Sequence, residues 1–176
     1  GVGKGIIVKE VDALGGIMGL LTDKATTHFK MLNKSKGEAV WGPRSQTDRK
    51  LYHNAAVEIL SKRANLDIVK SSAEDIEIVD GKISAVILGD GRKLQCKSVI
   101  LTTGTFLSGM ILLGKERIPA GRIGEKASYG LSKTLARFGF QLGRLKTGTP
   151  PRIDARSVNF KPLQEQWGDK PEPVMS

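Results

Sequence analysis

The sequence predicts an α/β fold, and its middle region supplies the main evidence. Apolar and polar residues alternate through EDIEIV (74–79) and KISAVIL (82–88), a pattern typical of strands with one buried face. Asp-Gly pairs at 80–81 and 90–91 separate these runs from each other and from KLQCK, and such pairs are strong hairpin signals. The apolar run SVILTTG (98–104) then predicts a buried strand of a mostly parallel sheet, ending in Thr-Gly.

The other elements follow from periodicity and from turn residues. Apolar residues recur at helical spacing in 4–20, in 46–63 and in 128–139, which predicts three helices. HFKML (28–32) and LDIVK (66–70) predict short strands, with a basic loop at 32–44 between the first strand and the second helix. Glycine and proline become frequent after residue 108. We therefore predict two parts, 1–107 and 108–176, with a boundary near 108.

Composition narrows the function classes. The net charge of +10 favours a polyanionic partner such as nucleic acid, although a merely basic, solvated surface is an open alternative. No apolar run is long enough to span a membrane. The single cysteine, Cys96, fits a reducing cytosol. His28 and His53 are far apart and have no cysteine at metal spacing, so no zinc site is expected.

Two glycine-containing motifs are candidates for cofactor binding. GVGKG (1–5) lacks the Ser or Thr of a phosphate loop and the G-x-G-x-x-G spacing, so a simple turn into a helix is the favoured interpretation. TTGTF (102–106) follows the predicted buried strand. Ligands in parallel sheets lie at the carboxyl ends of strands, and glycine there allows close backbone approach. A glycine needed only for the turn explains the motif equally well.

Several single residues have two possible roles. Trp41, in the basic block 34–49, is either a stacking platform for a base or, as we favour, a hydrophobic plug. Cys96 is interpreted as a structural thiol rather than a nucleophile. Ser128 precedes the last predicted helix and is a candidate N-cap, although its hydroxyl is also placed to point at a ligand.

The stretch GRLKTGTPPRIDAR (143–156) cannot be a regular strand or helix. Its Pro-Pro pair removes two backbone donors, and the run is too basic to be buried without partners. We expect a stiff cationic loop that holds a ligand.

Four motifs, in this order along the chain, carry a family resemblance. They are G-x-G-K-G with K-E-x-D-A-L-G-G, then L-N-x-S-K-G-x-A-V with R-x-Q-x-D-R-x-x-Y, then V-x-L-T-x-G-T-F-L, and finally G-R-L-K-T-G-T-P-P-R-I-D-A-R. Together they resemble the MnmG family, also called glucose-inhibited division protein A, the flavoprotein subunit of the bacterial tRNA wobble-uridine modification enzyme. The resemblance covers essentially the whole of residues 1–176.

The resemblance implies an FAD-binding dinucleotide fold of the glutathione reductase type, with a β-meander and the start of an inserted domain. It also implies the activity: addition of an aminomethyl or carboxymethylaminomethyl group at C5 of the wobble uridine of tRNA. FAD, NADH, a folate one-carbon donor and ammonium or glycine would take part. A GTPase subunit would be the partner, in a cytoplasmic enzyme that forms a homodimer.

Individual residues match family positions that contact or border the cofactor. The matching residues are Gly3, Gly5, Ala73, Thr103, Gly104, Thr105 and Ser128. Lys146, Arg152 and Arg156 are the hypothesised contacts to phosphate or nucleic acid. No catalytic residue is assigned, because Cys96 matches none of the family's functional cysteines.

The family's first strand, its dinucleotide fingerprint and its C-terminal helical region have no counterpart in this sequence. We therefore expect a piece of a longer protein that, on its own, binds FAD weakly and is inactive, because the pyrophosphate cradle at a helix N-terminus is missing. Three competing interpretations remain. They are a folate-dependent tRNA uracil methyltransferase, a non-enzymatic basic RNA-binding module, and a flavin oxidoreductase of small molecules. The stretches that argue against the methyltransferase are SKGEAV, QTDRKLY and KTGTPPRID.

Overall fold

The computed structural model describes residues 3–148, 150–151, 153–170 and 173–176. These ranges contain four α-helices: α1 (Gly3–Ala13), α2 (Met18–Ala25), α3 (Arg49–Ser61) and α4 (Gly130–Arg137). Seven strands accompany them: β1 (Thr26–Leu32), β2 (Gly42–Thr47), β3 (Ala73–Val79), β4 (Lys82–Leu88), β5 (Lys93–Gln95), β6 (Met110–Leu113) and β7 (Glu116–Pro119). The chain forms two compact units, residues 1–67 with 152–176 and residues 68–151. The predicted boundary near 108 falls inside the second unit.

The first unit begins with two helices where the sequence predicted one. The predicted helix 4–20 is wrong in its extent, because α1 ends at Ala13 and α2 starts at Met18. Gly15 has a φ of 83°, and the amide of Gly16 donates to the Val11 carbonyl at 2.9 Å. A glycine in the left-handed region is a common way to end a helix, so the Gly-Gly pair separates the two helices.

A hairpin of β1 and β2 follows. The predicted strand at 28–32 is confirmed within β1, but β2 covers residues predicted as the end of a loop and the start of a helix. Phe29, only 2% exposed, lies in the core of this unit with Leu21, Ala25 and Met175. The second predicted helix is confirmed as α3, starting at Arg49 because the Asp48 carboxylate accepts a hydrogen bond from the Leu51 amide at 2.8 Å.

A distant segment of the chain completes this unit. The Asp169 amide donates to the Phe29 carbonyl at 2.9 Å, and the Asp169 carboxylate accepts from the Met31 amide at 2.8 Å. Farther along, the amides of Met175 and Ser176 both donate to the Asp23 carboxylate. Residues near 169 therefore bond to the backbone of β1, and the segment ending at Ser176 bonds to α2.

The second unit contains the predicted meander. Strands β3, β4 and β5 form an antiparallel sheet in that order. Asp80 and Gly81 have φ angles of 50° and 73°, which is the backbone that a two-residue hairpin of the type I′ class requires. The predicted helix near 128–139 is confirmed as α4.

Other parts of the second unit differ from the prediction. Neither 66–70 nor 98–104 is a strand, and all strand pairings among the described residues are antiparallel. Ile100 is 87% exposed. A parallel strand needs hydrogen-bonded neighbours and cover on both faces, and the described residues supply neither to this segment. The hairpin of β6 and β7 lies where the sequence predicted only irregular structure.

The mixed helix and strand content agrees with the predicted α/β class. In the described part of the chain, no helix combines the length and the apolar character needed to cross a membrane.

Candidate functional site

An apolar cleft in the second unit brings together residues that are far apart in the sequence. Its volume is about 340 Å³. The meander forms one wall, the irregular segment 99–103 another, and helix α4 contributes a single side chain. The lining residues are Ala73, Ile76, Val86, Val99, Ile100, Leu101, Thr102, Thr103 and Leu131. Such a cleft suits a flat, largely apolar ring, because most of its lining is hydrocarbon.

Ala73 and Thr103 are the predicted cofactor residues that line this cleft. Ala73 is the half-buried first residue of β3 and pairs with Leu88. Because Ala73 lines the cleft with a side chain of one methyl group, we expect a larger side chain at this position to reduce the cavity. Thr103 lies at the end of the irregular segment. The structure therefore unites two residues that the sequence placed thirty positions apart.

Gly104 and Thr105 follow Thr103 without lining the cleft. Gly104 has a φ of 65°, a conformation that favours glycine. Both residues are exposed. The turn predicted after residue 103 is therefore present, although it does not follow a regular strand.

Ser128 is not the N-cap of the last helix. That position belongs to Tyr129, and no side chain caps the helix there. The Ser128 carbonyl instead accepts a hydrogen bond from the Ser108 amide at 2.7 Å, within an isolated parallel bridge between Leu107 and Ser128. The capping prediction is wrong because α4 starts at Gly130. A contact of Ser128 with cofactor stays a prediction.

Gly3 and Gly5 lie in α1, in the first unit. Space around Gly3 is open, whereas a Cβ atom on Gly5 would overlap the carbonyl group of Pro43 in β2. Gly5 thus has a packing role: it lets the backbone of α1 approach β2. Cofactor binding by either glycine stays a prediction.

The three hypothesised phosphate contacts have different surroundings. Lys146 is exposed in an irregular segment of the second unit, and Arg152 lies outside the described residues. Arg156 pairs with Asp154, with 2.6 Å between a guanidinium nitrogen and a carboxylate oxygen. The hydrogen bond from Arg156 lowers the pKa of Asp154. The cationic loop is therefore partly neutralised by its own aspartate.

The remaining candidates have local partners. Trp41 is half-buried and its indole N–H donates to the Lys36 carbonyl at 3.2 Å, in keeping with a structural role. Cys96 is half-buried, and its amide donates to the Ser84 carbonyl at 3.0 Å. Within the described ranges, no group of three or more His, Cys, Asp and Glu side chains could hold a metal ion.

The sequence did not predict a polar network that joins β3 to α4. The Asp75 carboxylate accepts two hydrogen bonds from the Arg137 guanidinium, at 2.8 and 3.1 Å, and one from the Thr134 hydroxyl at 2.6 Å. These donors, Arg137 first and then Thr134, lower the pKa of Asp75 to about 2. No sequence signal identifies the network, because its members are about sixty positions apart.

Comparison with known proteins identifies the family. The model of the family described as "Glucose inhibited division protein A" matches residues 1–176. A relative from Granulibacter bethesdensis, named tRNA uridine 5-carboxymethylaminomethyl modification enzyme MnmG, is 52% identical over 97% of this chain and 28% of its own length. A relative of the same name from Cytophaga hutchinsonii is 46% identical over 97% of this chain and 27% of its own length.

A solved structure agrees with the sequence matches. The structure of Aquifex aeolicus GidA aligns over 100% of this chain and 29% of its own, with a TM-score of 0.90 and 44% identity. The predicted fold is therefore confirmed as that of the GidA structure, and this chain spans somewhat more than a quarter of the relatives that it matches. Family model, sequence identity and fold agree along the whole chain, and it belongs to the glucose inhibited division protein A family.

Proposed function

We propose that this chain is part of an FAD-dependent enzyme that adds an aminomethyl or carboxymethylaminomethyl group at C5 of the wobble uridine of tRNA. The observation that carries the proposal is the 52% identity, over 97% of the chain, to an enzyme named for the carboxymethylaminomethyl modification of tRNA uridine. The apolar cleft of the second unit supports it, because two residues matched to cofactor positions, Ala73 and Thr103, line the same cavity.

The residues of the cleft fit one ring system of FAD. Ala73, Val86 and Leu131 contribute apolar lining, and Thr103 is one of its two residues with a hydroxyl group. A ring bound there would be shielded from water on its apolar faces. FAD would supply the redox chemistry for delivering a one-carbon unit to uracil C5. The part of this chain is to bind and orient the cofactor and to exclude water.

The remaining components follow from family membership. We propose NADH as the reductant, a folate as the one-carbon donor, and a GTPase as the partner subunit of a homodimeric, cytoplasmic enzyme. The net charge of the chain, +10, supports a tRNA substrate, because neutralisation of phosphates by Lys and Arg dominates nucleic-acid affinity. Lys146 is exposed, so its charge is accessible for this purpose.

The first test is the visible absorption spectrum of protein purified from the complete reading frame, before and after addition of NADH. We expect a flavin band that bleaches with NADH. A protein that is colourless, and stays so after soaking with FAD, would contradict the proposal and leave a basic RNA-binding surface as the alternative.

A variant in the cleft tests whether this cavity is the flavin site. Ala73→Leu places a larger side chain at the start of β3, where it reduces the cavity, and we expect weaker FAD binding. Ala64→Leu is the matched control, because Ala64 is exposed in the first unit. FAD affinity is measured by titrating apoprotein and following the quenching of flavin fluorescence. Equal affinities of the two variants would place the flavin elsewhere.

The proposed modification of tRNA is tested on tRNA itself. In a strain that lacks the gene, we expect loss of the modified wobble nucleoside from digested tRNA and its return with the wild-type gene. Lys146→Ala and Arg152→Ala in the whole protein should weaken tRNA binding or turnover. We expect less from Arg156→Ala, because Asp154 already pairs with that guanidinium. An unchanged nucleoside profile in the deletion strain would refute the assignment.

A further inference from the structure

Helix α4 forms one side of the apolar cleft and is held in place at both of its ends. Its buried residue Leu131, 6% exposed, is the one α4 residue that lines the cavity. The helix has eight residues, too few to be stable alone. Its position, and with it the position of Leu131, therefore depends on contacts with the rest of the unit.

The C-terminal half of α4 is bonded to Asp75. This carboxylate accepts from the Arg137 guanidinium and the Thr134 hydroxyl, and also from the amide of Ile76 at 2.7 Å. Thr134 is 2% exposed, so its hydroxyl has little access to water, and its bonds are to Asp75 and to the Gly130 carbonyl. Four hydrogen bonds converge on this carboxylate, and the three from Thr134 and Arg137 connect strand to helix.

Asp75 also lies close to the opposite wall. It follows Ala73 by two residues in β3, where the pairing with β4 shifts its register between Ala73 and Asp75. Such a shift redirects a side chain that would otherwise follow regular alternation. A single residue thus connects the strand that carries Ala73 to the helix that carries Leu131.

The N-terminal half of α4 is fixed separately. Ser108 has a φ of 49°, uncommon for a residue other than glycine. Its hydroxyl bonds to the Ser132 hydroxyl and its amide donates to the Ser128 carbonyl. Gly130 packs so closely on Glu74 that a Cβ atom there would overlap the Glu74 carbonyl. With this end held, loss of the Asp75 contacts would tilt the helix rather than release it.

We propose that Asp75 is a positioning residue for the flavin cofactor: by holding the C-terminal half of α4 it fixes the angle at which this helix packs on β3, and with it the surface that Leu131 presents to the cleft. The inference rests on the proposed function. An ion pair this exposed, with side chains 57% and 37% accessible, adds little to global stability. Its structural consequence, however, is the packing of α4 on β3, and both elements contribute lining residues to the cleft, so cofactor affinity should depend on it more than stability does.

The test uses the full-length protein and compares Asp75→Asn with Asp90→Asn. Asparagine keeps the shape of Asp75 but loses the charge-assisted pair with Arg137. Asp90→Asn is the matched control, because Asp90 forms an exposed pair with Arg92, at 2.7 Å, at the meander turn. FAD affinity is measured by fluorescence titration of apoprotein, and melting temperature is measured on the same samples.

We expect Asp75→Asn to weaken FAD binding about tenfold, equivalent to about 1.4 kcal/mol, and Asp90→Asn to leave affinity unchanged, with similar small losses of melting temperature. Arg137→Lys should retain more affinity than Arg137→Met, because lysine can still donate to the carboxylate. If Asp75→Asn binds FAD as the wild type does, or loses no more than Asp90→Asn, the inference is overturned. If the wild-type protein binds no FAD, the proposed function itself fails. If the wild type binds FAD and Asp75→Asn binds it equally well, only the inference about Asp75 fails.

Discussion

Gly5 and Gly3 offer a paired test of how α1 packs. Both glycines lie in the first turns of the same helix, so replacing either with alanine raises the helix propensity of this segment. Their surroundings differ: a Cβ atom on Gly5 would overlap the Pro43 carbonyl, whereas one on Gly3 would meet open space beyond its own helix backbone and chain neighbours. The two substitutions should therefore change stability in opposite directions.

The magnitudes follow from two opposing effects. Replacing a helical glycine with alanine gains about 0.5–1 kcal/mol from backbone entropy, and Gly3, as the first helical residue, should gain about 0.5 kcal/mol at most. At Gly5 the same gain opposes a steric cost of about 1–3 kcal/mol, because α1 must move away from β2. We expect a net loss of about 1–2 kcal/mol for Gly5→Ala.

Thermal unfolding followed by far-ultraviolet circular dichroism measures both variants. For a chain of this size, about 1 kcal/mol shifts the melting temperature by about 2–4 °C. Gly5→Ala should therefore melt about 2–8 °C below the wild type, and Gly3→Ala at or slightly above it. Equal melting temperatures for the two variants would refute the close approach of α1 to β2. Selective loss of FAD binding at unchanged stability would point instead to a cofactor role for the glycine concerned.

Three further outcomes are expected. Phe29→Ala removes a core ring that is 2% exposed and should cost about 3–5 kcal/mol, measured by urea unfolding; a loss below about 1 kcal/mol would contradict its central place in the first unit. Asp48→Ala removes the cap on the Leu51 amide and should cost about 1 kcal/mol in the same assay, whereas Asp48→Asn, which can still cap, should cost much less. Asp75 has a pKa lowered from 3.8 to about 2, so the stability that it contributes is present above pH 3.8 and is lost as the pH falls through 2. The difference in melting temperature between wild type and Asp75→Asn should be constant from about pH 7 to 5 and should shrink below about pH 4; a difference that grows in acid would reverse the assigned direction. Because the carboxylate is 37% exposed, this difference should correspond to no more than about 1 kcal/mol.

Local signals in the sequence predicted much of the second unit. Asp80 and Gly81 adopt left-handed backbone conformations that few other residue pairs accept. These two adjacent residues therefore determine the turn and the register of β3 with β4. Helix α4 was equally visible, because its apolar residues recur at helical spacing. The turn is determined within two residues, and the periodicity of α4 marks the face that packs on the unit, although the helix needs those contacts to be stable.

Signals for β2 and for the hairpin of β6 and β7 were absent or misleading. GPRSQT, the sequence of β2, has no apolar alternation, and it becomes a strand because β1 lies beside it. The reverse holds for 98–104, where the pattern of a buried strand is present but the described residues provide no paired neighbour. Strand formation depends on a partner, and periodicity reports only on the strand itself.

For the candidate site too, some features were predictable from the sequence and others only from the tertiary structure. Residue types and motif order indicated the family, and the resemblance predicted Ala73 and Thr103 among the cofactor residues, which stays a prediction. Only the tertiary structure showed that these two share a cavity with Leu131, that Ser128 does not cap α4, and that Asp75 joins β3 to α4. Contacts between residues far apart in the chain arise from packing and hydrogen-bond geometry, which leave no periodic trace in the sequence, so only the folded chain decides them.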